Sequence, residues 1–319
     1  MEAATRPELD AQYRATRESA GMLDDAERRF LLASGSEAAE YLHGQLTQEI
    51  EALEPGRSAY AALLDRKGHL QTDMRVTRTA AHELLIDLDA PGAGRALKHL
   101  SMYKIGRDVE LADVSEERAL IRLAGPAVST VLGDVPLGDE GDAREIEIEG
   151  RPALAITTDT GADVICGGAR SDRDGLLAAL TRRGAVPVEA AAFELLRIET
   201  GRPRFGAEMT ERTMPAEAAI VERAVSFTKG CYIGQETVAR LHYRGRPNRN
   251  LRGLRLESAA ETGAPVELGG KTIGEVGSAI VHPRLGPIAL AVLRREAEPG
   301  TTVEVAGRAA EVVALPFGT

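Results

Sequence analysis

Apolar positions recur along the chain with two periods. A four-residue repeat, Leu42, Leu46 and Ile50, follows a capping pattern of Ser34 and Glu37 and predicts an amphipathic helix over 36–51. A two-residue alternation governs the next stretch. Residues 58–64 and 69–77 read as strands joined by Asp65-Arg66-Lys67-Gly68, with the glycine at the left-handed turn position. On the second of these strands Leu70, Thr72, Met74 and Val76 share one face, while Gln71, Asp73 and Arg75 share the other. Short strands are expected at 30–33, 83–88, 109–114, 119–123, 146–148, 153–158 and 164–166. Helices are expected around 9–19, after Pro91, after Pro126, from Asp172 to Arg183 and over 188–200. From Asn250 the texture changes to short alternating segments parted by glycines, at 251–256, 265–268, 272–281, 288–293, 302–305 and 310–314, which predicts a small β-barrel. The expected organisation is an α+β region over 1–247 and a barrel over 248–319.

Some polar residues interrupt these patterns. Gly44 lies inside the helix expected over 36–51, where glycine costs about 1 kcal/mol against alanine, so close approach by another backbone or a ligand is one reading. Asp73 and Arg75 form either a solvated strand face or the wall of a pocket. In the helix over 188–200 the stripe Ala192, Leu195, Leu196 continues to Glu199 just before Gly201. That carboxylate either finds donors in the interior or sits at a frayed, hydrated helix end.

The densest candidate chemistry is Lys229-Gly230-Cys231-Tyr232-Ile233-Gly234-Gln235-Glu236, a turn feeding a helix over 234–243. A thiol beside a lysine and near a helix N-terminus has its thiolate favoured, which makes Cys231 with Lys229 a candidate reactive pair. A small apolar plug in a turn is the competing reading. Cys166, in apolar surroundings beside Gly167 and Gly168, reads as inert core. Past the octapeptide, Arg240, Arg244, Arg246, Arg249 and Arg252 cluster with His242. They are either an anion site or a solvated linker and helix end.

Composition narrows the functional classes. Lysine and arginine number 39 against 49 acidic residues, and the net charge of −10 argues against nucleic acid held by overall charge, leaving only the basic stretch 240–252 as a weak local candidate. Two cysteines make no disulfide framework, and a reducing cytoplasm is expected. Residues 1–22 lack the apolar core of a secretory signal, and no apolar run is long enough to span a bilayer, so no membrane partner is expected. No His/Cys set has metal-ligand spacing, and no metal is assigned.

The octapeptide resembles the signature of the YgfZ family, folate-binding relatives of the glycine-cleavage T-protein (aminomethyltransferase). T-proteins are similar at the lysine and the aromatic-Ile-Gly positions but do not typically carry the cysteine. Tyr41–Glu49 resembles the stretch near the family's folate pocket, with Glu49 where an aspartate is common. Leu196–Gly201 resembles its RxExG segment, and Gly274-Glu275-Val276-Gly277 its C-terminal barrel. The resemblance implies a T-protein-like fold with two interleaved N-terminal lobes around a folate cavity and a C-terminal β-barrel. It implies tetrahydrofolate or a one-carbon derivative as cofactor, with or without a polyglutamate tail received by Arg240 and Arg244. Glu199 would read the pterin. Asp73 would face the reactive nitrogens, while Thr72 stands where T-proteins carry a further acid. Tyr60, Tyr103, Phe205 and Tyr232 are candidates for stacking on the pterin. The YgfZ likeness further implies a role in assembly or repair of iron–sulfur clusters in client enzymes, including tRNA-thiomethylating ones. A folate-dependent aminomethyltransferase and a non-catalytic folate-binding adaptor are the alternatives.

Overall fold

The computed structural model describes residues 7–166 and 172–318, and its chain enters one sheet, leaves to build a second, and then returns. Strand Gly21–Asp25 starts the first sheet. That sheet is completed by Leu120–Ala124, Gly161–Cys166, Arg151–Thr158, Ala143–Ile148 and the short parallel strand Val186–Pro187. Between these visits the chain forms the second sheet, in spatial order Arg57–Leu64, Leu70–Ala80, Glu83–Asp89, Arg28–Ser34 and Glu110–Asp113. The lobes therefore interleave, as the family resemblance implied.

Each sheet buries one face under its own helices. The helix Arg173–Arg182 packs Leu176, Ala179 and Leu180 onto the first sheet's Ile121, Leu123 and Val164. Helices Ala38–Gln45 and Ala90–Tyr103 cover the second sheet's Leu31, Met74, Val76 and Ile86. The two sheets also share an apolar seam of Phe30, Leu85, Leu120, Ile156 and Ile165.

Strands Arg249–Leu256, Pro265–Leu268, Lys271–His282, Gly286–Arg294, Thr302–Val305 and Arg308–Val313 close into a barrel. Closure leaves no unpaired edge, which is how so short a set of strands stays independent of its neighbours. The helix Ala190–Glu199 joins barrel and lobes, because Ile198 sits among Leu251, Ile288, Leu290 and Phe317 while Leu195 and Leu196 meet Tyr13 and Ala124.

The helix expected over 36–51 stops at Gln45. Its would-be second half is drawn into side-chain bonds: the Thr47 hydroxyl donates to the Ala224 carbonyl and accepts from the Ala62 amide, at 2.5 and 2.9 Å. Leu46 and Ile50 remain fully buried, so the apolar spacing was real while the helical conformation was not. Gly44 is approached by nothing, since a Cβ built there would have no neighbour within 4 Å.

Candidate functional site

Alternation along the strand Leu70–Ala80 puts Asp73 and Arg75 on one face, from which Arg75 reaches the space between the lobes. Tyr60, on the neighbouring strand, donates its hydroxyl to Asp73 Oδ2 at 2.7 Å. Asp73 Oδ1 is buried and has no hydrogen-bond partner among the described residues. Burial, and then the negative charge of Asp89, push the Asp73 pKa up to about 6. Thr72 points the other way, under the helix Ala90–Tyr103, where its side chain fills the room a Cβ on Gly92 would need. A threonine in place of an acid at 72 therefore removes nothing from Asp73's side of the sheet.

Asp73 itself lines neither of two nearby interlobe cavities, but its partner Tyr60 walls one and its neighbour Asp89 the other. One, of about 410 Å³, is walled by Gln48, Glu49, Tyr60, Arg75, Glu140 and Arg223. The Arg223 guanidinium lies over the Tyr60 ring, 5.1 Å from its centroid. The other, of about 400 Å³, is walled by Arg28, Asp89, Asp163, Glu194, Arg197 and Arg204 among others. Arg75 in the first wall pairs with Asp163 in the second at 2.7 Å, so an ion pair from one sheet to the other divides the space.

Behind it stands Asp87, 0% exposed at its side chain, which accepts from Arg28 and Arg75, each at 2.8 Å. Burial alone would raise the Asp87 pKa, but the Arg75 and Arg28 charges overcome it and hold the carboxyl below its ordinary value. Arg197 gathers Glu194, Glu208 and the barrel's Ser278 at 2.6, 3.1 and 2.6 Å. Sequence reading passed over Arg28, Asp87, Asp163 and Arg197. A signal existed for Asp87, a lone acid in the apolar run Leu84-Leu85-Ile86-Asp87-Leu88.

The octapeptide lies elsewhere and is built differently from the expectation. Lys229, 8% exposed, donates its ammonium to the carbonyls of His43, Leu46 and Gln48, the latter two at 2.7 and 3.0 Å. Burial lowers its pKa to about 8 against the pull of Glu49 and Glu51. All three ammonium donors are used on backbone, so Lys229 ties two loops together. Cys231 is exposed, while Cys166 is buried with its pKa pushed up to about 11 by that burial. Gly167 and Gly168 lie outside the described residues.

Gly234 adopts φ 84° directly before the helix Gln235–Arg244, and a Cβ there would come within 2.6 Å of the Asp65 carbonyl. Only glycine suits that combination of left-handed backbone and close approach. Tyr232 and Phe205 are buried in one apolar cluster and line neither cavity, and Tyr103 is exposed at a helix end. Tyr60 alone of the proposed stacking rings reaches a cavity wall.

Glu199 is 4% exposed, so the frayed-end reading fails, yet it faces neither cavity. Its Oε2 accepts from the Tyr13 hydroxyl at 2.7 Å and lies 3.6 Å from His282 Nε2 of the barrel. Spacing explains the difference: at 100° per residue Glu199 projects from the opposite side of its helix to Glu194 and Arg197, which do reach the cavity. Arg240 and Arg244 are exposed and line neither interlobe cavity.

Two interleaved lobes enclosing a charged cavity, with a closed barrel alongside, define a class that sequence comparison also finds. The chain belongs to the glycine cleavage T-protein family: residues 2–229 match the GCVT N-terminal domain and residues 249–317 the glycine cleavage T-protein C-terminal barrel domain. It is 32% identical over 320 residues to an aminomethyltransferase of Thermus thermophilus, covering 96% of this chain and 89% of that one. An aminomethyltransferase of Streptomyces coelicolor is 31% identical over 329 residues, covering 96% and 88%. The crystal structure of glycine cleavage system aminomethyltransferase T from Bartonella henselae superposes with a TM-score of 0.85 at 25% identity, over 99% of this chain and 91% of that one. No helix among the described residues is long and apolar enough to cross a membrane.

Proposed function

We propose that the chain binds tetrahydrofolate, the cofactor of aminomethyltransferases, between its lobes and uses Asp73 in transfer of a one-carbon unit. The observation that carries this reading is Asp73 itself: a carboxylate pinned at Oδ2 by Tyr60, which walls an interlobe cavity, with Oδ1 buried and unpartnered among the described residues. A buried acceptor without a donor costs roughly 1–3 kcal/mol, so the protein keeps it for a group that arrives with the ligand. Bound tetrahydrofolate supplies the amine nitrogens between which a one-carbon unit is carried. The chain's residues fit such a molecule. Tyr60 offers an aromatic ring in the cavity wall and Asp73, bonded to it, an acceptor for N–H, while Arg75, held by Asp87 and Asp163, and Arg223, held by Glu140, enter already paired.

With a pKa near 6, Asp73 is ionised at neutral pH and close enough to it to exchange a proton at Oδ1. Tyr60 keeps Oδ2 occupied and so fixes which oxygen does the work. Titration with tetrahydrofolate and its methylene form, beside an assay of one-carbon turnover, tests the reading. Asp73→Asn is expected to reduce turnover at least a hundredfold while folate still binds. Turnover equal to the parent overturns the role of Asp73, and absence of folate binding by the parent overturns the reading as a whole.

Cys231 favours a second reading, the YgfZ-like one, in which the folate-bound protein supports iron–sulfur cluster assembly or repair in client enzymes. Its thiol is exposed, within the octapeptide that distinguishes the YgfZ side of the family. Because Lys229 is committed to three carbonyls, accessibility rather than a neighbouring ammonium is what recommends this sulfur. Cys231→Ser is expected to abolish rescue of an iron–sulfur defect with folate affinity unchanged. Full rescue by that variant removes the second reading.

A further inference from the structure

The helix after the octapeptide carries a surface that folate chemistry does not use. Arg240, Tyr243 and Arg244 share one face of Gln235–Arg244 by helical spacing, all three are exposed, and Arg246 follows in the linker. Among the described residues none of these arginines makes an ion pair or a side-chain hydrogen bond, whereas Arg28, Arg75 and Arg197 are each matched by carboxylates.

The barrel enlarges the surface. Arg249 and Arg294 stand directly opposite each other on neighbouring strands, a like-charge pairing that is unfavourable by itself. Arg246, Arg252 and Arg295 share the wall of a cavity of about 480 Å³ with Glu296 and Glu298. In a chain of net charge −10 this is a local excess of guanidinium groups, only partly offset by Glu296 and Glu298, and it attracts anions.

An aromatic stack forms between the same helix and Phe227, which precedes it. Phe227 and His242 lie face to face with centroids 3.9 Å apart, and Tyr243 meets them edge-on at 5.8 and 4.8 Å. Tyr243 is nonetheless 68% exposed. A tyrosine braced by two rings and open to solvent offers its face to a planar ligand with little ordering cost.

We infer that this surface binds single-stranded RNA, with the arginines on successive phosphates and a base stacked on Tyr243. Basic side chains interleaved with an exposed ring suit a strand that presents charge and π-faces together. A polyglutamate tail is the other linear polyanion, but its carboxylates have no use for the ring. Nor do these arginines line either interlobe cavity from which such a tail would emerge.

Fluorescence anisotropy with a labelled single-stranded RNA of about twelve nucleotides tests this, with an oligoglutamate peptide of similar length as the rival anion. Binding is expected to weaken with salt, and Arg244→Ser with Arg246→Ser should flatten the log–log salt slope by about 1.4. Tyr243→Ala should weaken RNA binding roughly five- to hundredfold and leave that slope unchanged. All the altered side chains are exposed, so folding is not at stake. Absence of RNA binding at low salt, indifference to Tyr243→Ala, or peptide binding as tight as RNA each overturns the proposal, the last in favour of an acidic tail or acidic protein partner.

Discussion

Asp73 shows how much one position in a strand decides. Alternation sends Thr72 into the core under the helix Ala90–Tyr103 and Asp73 to the opposite face beside Tyr60, so adjacent residues have unrelated tasks. The carboxyl's folded pKa, about 6, lies above its ordinary 3.8. A raised carboxyl contributes stability that is fully present below pH 3.8 and is lost as pH rises through 6. Above that the ionised group costs about 2–3 kcal/mol unless a ligand donates to it. Asp73→Asn is therefore expected to unfold at higher urea than the parent at pH 8, with the difference shrinking towards pH 5. Equal midpoints at both pH values would show a well-solvated carboxylate. Ligand-free measurements isolate this effect, because bound folate would satisfy Oδ1 in the parent and hide it.

At the scale of elements, what was legible in the sequence followed from local rules, and what was not depended on partners far along the chain. The hairpin 57–80 with its Gly68 turn, the helix before Gly201 and every barrel strand were readable because turn chemistry and alternation are local. The end of the helix at Gln45 was not, because its cause is Thr47 reaching Ala224 and Lys229 reaching three carbonyls, partners over 170 residues away. The same distance effect misled the reading of Lys229 as the activator of Cys231. Only Gly230 separates the two in sequence, but the ammonium is worth more among buried carbonyls than beside an exposed thiol. Lys229→Met keeps the length and apolar stem while removing those donors. It is expected to cost about 3 kcal/mol or more in urea unfolding and to speed amide exchange over residues 46–50. Exchange unchanged there would mean that the loop holds itself. Of the candidate site, only the face that Asp73 shares with Arg75 was readable from strand alternation; whether it met solvent or a pocket stayed open, and Tyr60 was one of four rings with nothing to choose among them. The ion pairs of Arg28 and Arg75 with Asp87 and Asp163 were not readable, because they join strands whose pairing and facing only the fold defines.

On the scale of the whole molecule, Glu199 joins parts of the chain that no local rule connects. Its carboxylate receives the Tyr13 hydroxyl from the N-terminal helix Pro7–Glu18, and its backbone carbonyl accepts from the Phe317 amide near the other end of the chain. Across from it, His282 Nδ1 accepts from the amides of Arg284 and Leu285, each at 3.2 Å. That leaves the imidazole proton on Nε2, facing Glu199 Oε2 across 3.6 Å. Glu199 thus bonds the first helix through its carboxylate and the C-terminal segment through its backbone, with its charge facing the barrel's His282. Its role as the reader of a pterin and its role as this fastener predict opposite results. Glu199→Ala strands the Tyr13 hydroxyl and removes the charge facing His282 Nε2, for which we expect a loss of about 2–3 kcal/mol and a melting temperature lower by roughly 3–5 °C. Tetrahydrofolate affinity, measured well below that transition, should change less than threefold. A pterin partner would instead lose thirty- to thousandfold in affinity, since a charged acceptor would be missing from a desolvated ligand. Calorimetry of folding and of binding on the same variant separates the two, and a tenfold or greater loss of affinity with the melting temperature intact would return Glu199 to the ligand.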